Sequence, residues 1–156
     1  MLKMPEADPQ TLKKRASIAA ALRRIVPGEG VIETRTEMSV YESDGLTAYR
    51  QMPLVVVLPE TTKQVSQVLA YAFENKINVV PRGAGTSLSG GALPLADGII
   101  LGLSKFNRVL DIDYDNRCCV VQPGVTNQAI TQAVQHRGFY YAPDPSSQIA
   151  CTIGGN

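Results

Sequence analysis

Residues 81–91 read Pro81-Arg82-Gly83-Ala84-Gly85-Thr86-Ser87-Leu88-Ser89-Gly90-Gly91. The glycines let the backbone take left-handed angles and come close to a ligand. Successive N–H groups in such a loop can converge on one point and bind an anion, and Thr86, Ser87 and Ser89 add hydroxyl donors. Arg82 adds one positive charge, which we expect at the rim. The stretch therefore suits a pyrophosphate group, and the alternative is a glycine-rich surface turn with no ligand.

Two common phosphate motifs do not fit this loop. A P-loop needs Gly-Lys-Ser/Thr, and residues 81–91 contain no lysine. The GxGxxG fingerprint begins well with Gly83 and Gly85, but Leu88 stands in its sixth place. No helical pattern follows the loop. The sequence thus predicts an anion nest without the helix N-terminus of a Rossmann site.

The segment before the loop has the pattern of a strand, a helix and a second strand. Residues 54–58 are a continuous apolar run typical of a buried strand. Thr61-Thr62 can cap a helix that ends near Asn75-Lys76, and residues 77–80 predict another strand that Pro81 ends. Together they predict a βαβ unit. The predicted inner stripe of the helix comprises Val65, Val68, Leu69, Ala72 and Phe73.

The rest of the chain predicts further strands and two more helices. Residues 13–26 form an amphipathic helical pattern, and residues 31–53 are irregular and rich in turns. Residues 126–137 predict a helix that starts at a Thr cap and stops at Gly138. Strands are predicted over residues 98–103, 109–113 and 117–122. We therefore predict an α+β fold with an α/β-like βαβ unit, divided into a helical and irregular lead-in over residues 1–52 and a ligand-binding domain over residues 53–156.

A second glycine-rich stretch lies late in the chain. It reads Cys151-Thr152-Ile153-Gly154-Gly155-Asn156 and follows Pro143-Asp144-Pro145-Ser146-Ser147. Its small residues would let a planar ring approach the backbone. Taken by itself, the stretch is equally well explained as an ordinary loop.

Composition excludes several classes of function. The net charge is +1 and tryptophan is absent, which argues against nucleic acid as a partner. Three cysteines without a CxxC pair, and His136 as the single histidine, do not supply a zinc site. We expect the cysteines to be small buried residues, and His136 to lie on the surface near a helix end.

No apolar run is long enough to span a membrane, and no targeting segment is evident, so we expect a cytoplasmic protein.

Five segments in this order resemble one known family, the vanillyl-alcohol-oxidase type, also called PCMH-type, FAD-binding domain. Within it, the chain is most similar to the flavoprotein subunits of bacterial glycolate oxidases. The motifs are Pro-Leu-Val-Val-Val-Leu-Pro-Glu from Pro53, Pro-Arg-Gly-Ala-Gly-Thr-Ser-Leu-Ser-Gly-Gly from Pro81, Val-Gln-Pro-Gly-Val from Val121, Ala-Pro-Asp-Pro-Ser-Ser from Ala142, and Ile-Gly-Gly-Asn from Ile153.

The resemblance implies FAD as the cofactor and a 2-hydroxyacid such as glycolate as the substrate. A hydride would pass from the substrate's alcohol carbon to the flavin. Electrons would then pass to an iron–sulfur partner subunit, with a second flavin-type subunit in the complex, and membrane association would occur only through partners. The residues implied to contact FAD are Arg82, Gly83, Ala84, Gly85, Thr86, Ser87, Pro123, Gly124, Pro143, Asp144, Cys151, Thr152, Gly154, Gly155 and Asn156.

The resemblance also implies what this stretch does not carry. Proteins of the family continue well beyond their Gly-Gly-Asn tract into a second flavin subdomain and a substrate cap. We therefore expect the catalytic residues to lie outside residues 1–156, and this stretch alone to be poorly folded, weak in FAD binding and inactive. Two alternatives remain, a nucleotide- or FAD-binding module without redox activity and a related flavoprotein that oxidises another 2-hydroxyacid such as D-lactate.

Overall fold

A computed structural model describes residues 4–143 and 145–156. Its main sheet has four strands in the spatial order β1-β2-β4-β3, with β1 antiparallel to β2 and the other neighbours parallel. A separate antiparallel hairpin pairs β5 with β6. The strands are β1 (Val31–Ile32), β2 (Val55–Val57), β3 (Val79–Arg82), β4 (Ile99–Gly102), β5 (Val109–Asp113) and β6 (Cys118–Val121). The helices are α1 (Pro9–Lys13), α2 (Arg15–Ile25), α3 (Arg35–Met38), α4 (Thr62–Glu74) and α5 (Asn127–Val134).

The predicted βαβ unit is confirmed, with one strand inserted into it. Strands β2 and β3 are connected through α4 and run parallel, but β4 lies between them and pairs with both. Helix α4 begins with the predicted Thr cap: the Thr61 hydroxyl accepts from the Gln64 N–H, and the Gln64 side chain in turn bonds to the Thr61 N–H. This reciprocal capping satisfies two N–H groups of the first turn. The mixed α+β fold class predicted from the sequence is therefore correct.

The inner stripe of α4 is narrower than its sequence predicts. Val68 and Ala72 are buried in the main core. Leu69 and Phe73, at 45% and 86% exposure, face outward instead. The prediction was wrong for these two residues because only a narrow face of α4 packs against α2 and the sheet, leaving the flank of the predicted stripe uncovered.

Pro81 does not end its strand. Strand β3 continues through Pro81 to Arg82, and both residues are aligned with β4. A proline has no N–H to donate to a ladder, so within sheets it is restricted largely to edge strands. Strand β3 is the edge strand of this sheet, and the free side of Pro81 therefore loses no hydrogen bond.

Helix α2 packs on the same core as the βαβ unit. Ile18 and Leu22 of α2 belong to the buried cluster that contains Val55 and Val68. The single helix predicted over residues 13–26 begins earlier, at Pro9, and is interrupted at Lys14, which separates α1 from α2. The division of the chain at residues 52 and 53 stays a prediction, although β1 of the lead-in pairs with β2 across it.

Helix α5 follows its sequence pattern closely. Thr126 caps it by accepting from the Ala129 N–H, a short 3₁₀ turn over Gln135–Arg137 extends it, and Gly138 ends it with a φ of +78°. His136 is exposed in that last turn, as predicted. Beyond Gly138, the chain returns to α5, where Thr152 forms an isolated antiparallel bridge with Thr126. This bridge holds the late glycine-rich stretch against the start of α5.

Candidate functional site

The two glycine-rich stretches meet across one cleft of about 220 Å³. The cleft lies at the carboxyl ends of the parallel strands β3 and β4, where open α/β sheets place their ligands. The Leu103 N–H donates to the Arg82 carbonyl across that edge at 2.9 Å. The residues lining the cleft are Pro81, Arg82, Gly83, Ala84, Gly85, Thr86, Ser87, Gly91, Ala92, Leu103, Pro123, Thr152, Gly154, Gly155 and Asn156.

One wall of the cleft is the loop that follows β3. Gly85 has a φ of +74°, a conformation that favours glycine. Among the described residues, none accepts a hydrogen bond from the backbone N–H groups of residues 83–87. The Ser87 hydroxyl oxygen accepts from the N–H groups of Ser89 and Gly91, both at 3.3 Å, which folds the far end of the loop back on itself. The near end therefore keeps its N–H donors for an anion.

The opposite wall is the late glycine-rich stretch, held against Pro123. The Gly154 N–H donates to the Pro123 carbonyl at 2.9 Å, and the Ile153 N–H donates to the Val125 carbonyl at 2.8 Å. A Cβ on Gly154 would meet the Pro123 Cβ at 2.5 Å, so only glycine permits this approach. The Asn156 side-chain amide donates to the side-chain Oδ1 of Asn127 and to the Cys151 Sγ. The stretch is thus a close-packed wall and not a free loop.

Thr152 brings a buried hydroxyl to the junction of the two walls. The residue is 8% exposed, and its Oγ1 has no hydrogen-bond partner among the described residues. A Cβ on Gly83 would collide with this oxygen, so the hydroxyl lies directly against the start of the loop. A buried polar atom without a partner is costly. This orphaned hydroxyl, together with the free N–H groups across from it, fits a ligand rich in acceptor oxygens such as the pyrophosphate of FAD.

Arg82 is not at the rim of the cleft, which corrects the sequence-based expectation. It is 7% exposed, and its Nη1 donates to the carbonyls of Ser43 at 2.8 Å and Ala92 at 3.2 Å. Its guanidinium lies under Gly85, where a Cβ would approach the Cζ to 2.5 Å. Burial lowers the pKa of Arg82, while the nearby Asp44 carboxylate acts in the opposite direction. The long side chain turns back under the loop because buried carbonyls there accept its hydrogen bonds.

Most of the predicted site residues meet in the cleft, and three do not line it. Gly124 lies behind it, where its N–H donates to the Phe106 carbonyl at 2.7 Å. Cys151 is buried beneath Asn156, and Pro143 is exposed, with its carbonyl accepting from the Asn127 side chain at 3.5 Å. Asp144 lies outside the described residues. The cofactor roles of these residues stay predictions.

Sequence reasoning missed some lining residues and the support beneath the loop. Leu103 follows β4 directly, and its place beside Arg82 could have been inferred once the two strands were paired. Ala92 gave no sequence signal. Asp44, which is 6% exposed, lies beneath the loop and accepts from the Ala92 N–H at 3.4 Å. Its own turn-rich segment was noted in the sequence, but not its contact with the loop.

The cysteines are less uniformly buried than expected. Cys151 is buried, Cys119 is half-buried, and Cys118 is exposed because the outer face of the β5–β6 hairpin is uncovered. Burial raises the pKa of Cys119, with a smaller contribution from Cys118 in the same direction.

Within residues 4–143 and 145–156, no group of His, Cys, Asp and Glu side chains could hold a metal ion. In the part of the chain that the structure describes, no helix has both the length and the apolar character needed to cross a bilayer.

The fold and the cleft define a class of protein, an α+β domain with a glycine-rich cleft at the carboxyl ends of parallel strands. Residues 53–156 match the protein family described as FAD binding domain, and the chain belongs to that family. The chain is 54% identical over 153 residues to "Glycolate oxidase subunit GlcD" of Escherichia coli (strain K12), covering 98% of this chain and 30% of that protein. It is 34% identical to "D-lactate dehydrogenase" of Anaerostipes hadrus, covering 97% of this chain and 30% of that protein.

A solved structure shows the same fold at lower identity. The chain superposes on 4-ethylphenol oxidase from Gulosibacter chungangensis with a TM-score of 0.81 and 24% sequence identity, covering 99% of this chain and 30% of that one. The chain thus spans about 30% of the length of the relatives it matches.

Proposed function

We propose that this chain forms the pyrophosphate-binding and part of the flavin-binding wall of an FAD-dependent oxidoreductase that oxidises 2-hydroxyacids, with glycolate as the first candidate substrate. One observation carries the proposal: the N–H groups of residues 83–87 and the Thr152 hydroxyl belong to residues that line the same cleft, and within the described residues none of them has a hydrogen-bond partner. The 54% identity to a glycolate oxidase subunit supports the choice of substrate. In this proposal residues 53–156 form the FAD-binding domain and residues 1–52 form its lead-in.

The residues of the cleft divide the work of holding FAD. Gly83, Ala84 and Gly85 would donate backbone N–H groups to the pyrophosphate, with Thr86 and Ser87 beside them. Thr152 would add its hydroxyl, and Gly154 and Gly155 would leave room for the flavin or its ribityl chain. When bound, FAD supplies an acceptor for the hydride of the substrate's alcohol carbon. The walls described here would hold the cofactor and exclude water from one side of it.

A direct test uses the complete protein. We expect it to purify with the visible spectrum of oxidised flavin and to reduce an artificial dye with glycolate. D-lactate is the competing substrate, favoured by the 34% identity to a D-lactate dehydrogenase, and a higher kcat/KM for D-lactate would assign the protein to that activity. A colourless protein that binds no added FAD would contradict the proposal and favour a module with another ligand.

Partner subunits belong to the same proposal. A relative carries the word subunit in its name, which supports assembly into a complex, and we propose an iron–sulfur subunit as electron acceptor together with a second flavin-type subunit. The protein would then be cytoplasmic and would reach a membrane only through these partners. Co-purification of an iron-containing chain with the tagged protein from its native host would support this arrangement, and a flavoprotein isolated without iron would contradict it.

Replacing Thr152 with valine should stabilise the FAD-free protein but weaken its affinity for FAD. The substitution removes a buried hydroxyl that has no partner within residues 4–143 and 145–156, so the FAD-free form should gain about 1 kcal/mol of unfolding free energy. The same change removes a donor to the cofactor, so FAD affinity should fall about tenfold. Urea unfolding of the FAD-free protein and equilibrium titration with FAD measure the two effects.

Thr36→Val is the matched control because Thr36 is exposed on α3, away from the cleft. It should leave FAD affinity unchanged. If Thr152→Val binds FAD as tightly as the unaltered protein, the hydroxyl does not contact the cofactor.

A further inference from the structure

Two buried residues of opposite charge lie at the base of the loop over residues 83–91, which follows β3. Arg82 begins the loop, and Asp44 comes from the lead-in, outside the segment that matches the FAD-binding family. Both bond to the peptide groups of Ala92, where the loop ends. Arg82 donates to the Ala92 carbonyl at 3.2 Å, and Asp44 accepts from the Ala92 N–H at 3.4 Å. Through these hydrogen bonds, the two side chains hold the end of the loop close to its beginning.

Arg82 also fixes the lead-in against the loop. Its Nη1 donates to the Ser43 carbonyl at 2.8 Å and to the Tyr41 carbonyl at 3.5 Å. Its Cζ lies 5.6 Å from the centre of the Tyr41 ring, within the range of a cation–π contact. These acceptors are 39 and 41 residues away in sequence. The guanidinium is thus bonded to backbone carbonyls of two separate segments.

Asp44 extends this connection to the middle of the loop. Its Oδ1 accepts from the Leu46 N–H at 2.9 Å, and the same N–H donates to the Ser87 carbonyl at 3.1 Å. A Cβ on Gly45 would meet the carbonyls of Thr86 and Ser87 at 2.8 Å, so the turn lies directly against the loop. The lead-in therefore touches the loop at its beginning, middle and end.

We propose that Arg82 and Asp44 are positioning residues that hold the loop in its phosphate-binding shape, and that Arg82 does not serve as a charge clamp on the cofactor. The inference rests on the proposed FAD site. A carboxylate close to an anion site weakens anion binding by Coulomb repulsion. The position of the Asp44 carboxylate is explained instead by the Leu46 and Ala92 N–H groups that donate to it, because these two bonds shape the loop. Loss of either residue should therefore weaken binding through the loop's conformation.

The two roles predict opposite signs for Asp44→Asn in the complete protein. If the pair acts through charge, removing the carboxylate leaves more positive potential near the phosphates and FAD binds more tightly. The Asp44 carboxylate accepts from Leu46 through Oδ1 and from Ala92 through Oδ2, and asparagine replaces one of these oxygens with an NH2 donor. If the pair positions the loop, one of the two bonds is therefore lost and FAD affinity falls about tenfold. Equilibrium titration of the FAD-free protein with FAD decides between them.

Arg82→Lys gives a second, independent comparison. Lysine keeps the positive charge but replaces the planar guanidinium with a single ammonium on a flexible stem. A charge clamp would tolerate this change within about threefold, whereas a positioning role predicts a loss of about tenfold or more. Because Arg82 is buried, this variant could fail to fold, and Asp44→Asn then carries the test alone.

Riboflavin separates positioning of the loop from a general loss of structure. It carries the flavin ring without the pyrophosphate, so a distorted phosphate loop should leave riboflavin affinity within about twofold of its original value. A merely destabilised protein would lose affinity for both compounds. Arg50→Lys is the control, since Arg50 forms an exposed ion pair with Glu42 at 3.2 Å in the same segment, and it should change neither affinity.

Each outcome has one meaning. Weaker FAD binding with unchanged riboflavin binding in Asp44→Asn supports the positioning role. Equal or tighter FAD binding in that variant overturns the positioning role and leaves the proposed FAD site standing. An equal loss of both ligands also overturns the positioning role, because it shows a general loss of structure. Failure of the unaltered complete protein to bind FAD overturns the proposed function and this inference together.

Discussion

Gly85→Val in the complete protein is expected to abolish FAD retention on purification and to weaken FAD affinity about 100-fold. Gly85 has a φ of +74°, and a side chain in this region costs roughly 1–2 kcal/mol. A Cβ there would also collide with the Arg82 guanidinium, which is bonded to buried carbonyls and cannot simply move aside. The loop must therefore shift as a whole. The flavin content of the purified protein and FAD titration of the flavin-free form measure the effect.

Gly138→Val is the matched control for this substitution. Gly138 has a φ of +78°, and a Cβ there would meet nothing within 4 Å. Gly138→Val has the same backbone strain as Gly85→Val, but its side chain collides with nothing and does not line the cleft. It should therefore lower the free energy of unfolding by roughly 1–2 kcal/mol and leave FAD affinity unchanged. Stoichiometric flavin in purified Gly85→Val would show that the loop is not the pyrophosphate site.

Gly124→Ala is expected to lower the unfolding free energy by about 3 kcal/mol. A Cβ on Gly124 would lie 2.5 Å from the Leu103 carbonyl and 2.7 Å from the Phe106 carbonyl. Both are backbone atoms, and hydrogen bonds hold both segments in place. The Leu103 N–H donates to the Arg82 carbonyl, and the Phe106 carbonyl accepts from the Gly124 N–H. The methyl group must push the Pro123-Gly124 segment away from the sheet edge. Urea unfolding of the FAD-free protein checks the value.

Gly155→Ala provides the comparison for stability. A Cβ at Gly155 would make one ordinary contact, 3.7 Å from the Thr152 Oγ1. Its effect on unfolding should stay within about 0.5 kcal/mol. A Gly124→Ala protein as stable as the unaltered one would mean that the close packing of Gly124 against the strand edge is absent in solution.

The local elements of the fold were predictable because their causes are local. The valine run of β2, the Thr61 cap of α4 and the Gly138 stop after α5 each depend on neighbouring residues alone. The candidate cleft was predictable for a similar reason. Glycines and hydroxyl residues directly after a strand indicate an anion nest whatever the rest of the chain does.

Other features depended on partners that are distant in sequence. Pro81 could remain in β3 only because β3 is an edge strand, and the sheet order depends on β4, some twenty residues further along. The outward position of Phe73 depends on how much of α4 the core covers, which its 3.6-residue periodicity does not encode.

The sequence by itself determined that this chain builds a strand, a helix, a second strand and a glycine-rich loop, because spacing, caps and glycines act over a few residues. Only the tertiary structure decided what Arg82 does. Its guanidinium can reach several places from the end of β3, and the carbonyls that it bonds come from residues 41, 43 and 92. The Ala92 carbonyl is buried and costly to leave unpaired, and so a charge expected to face the ligand became the support beneath the loop.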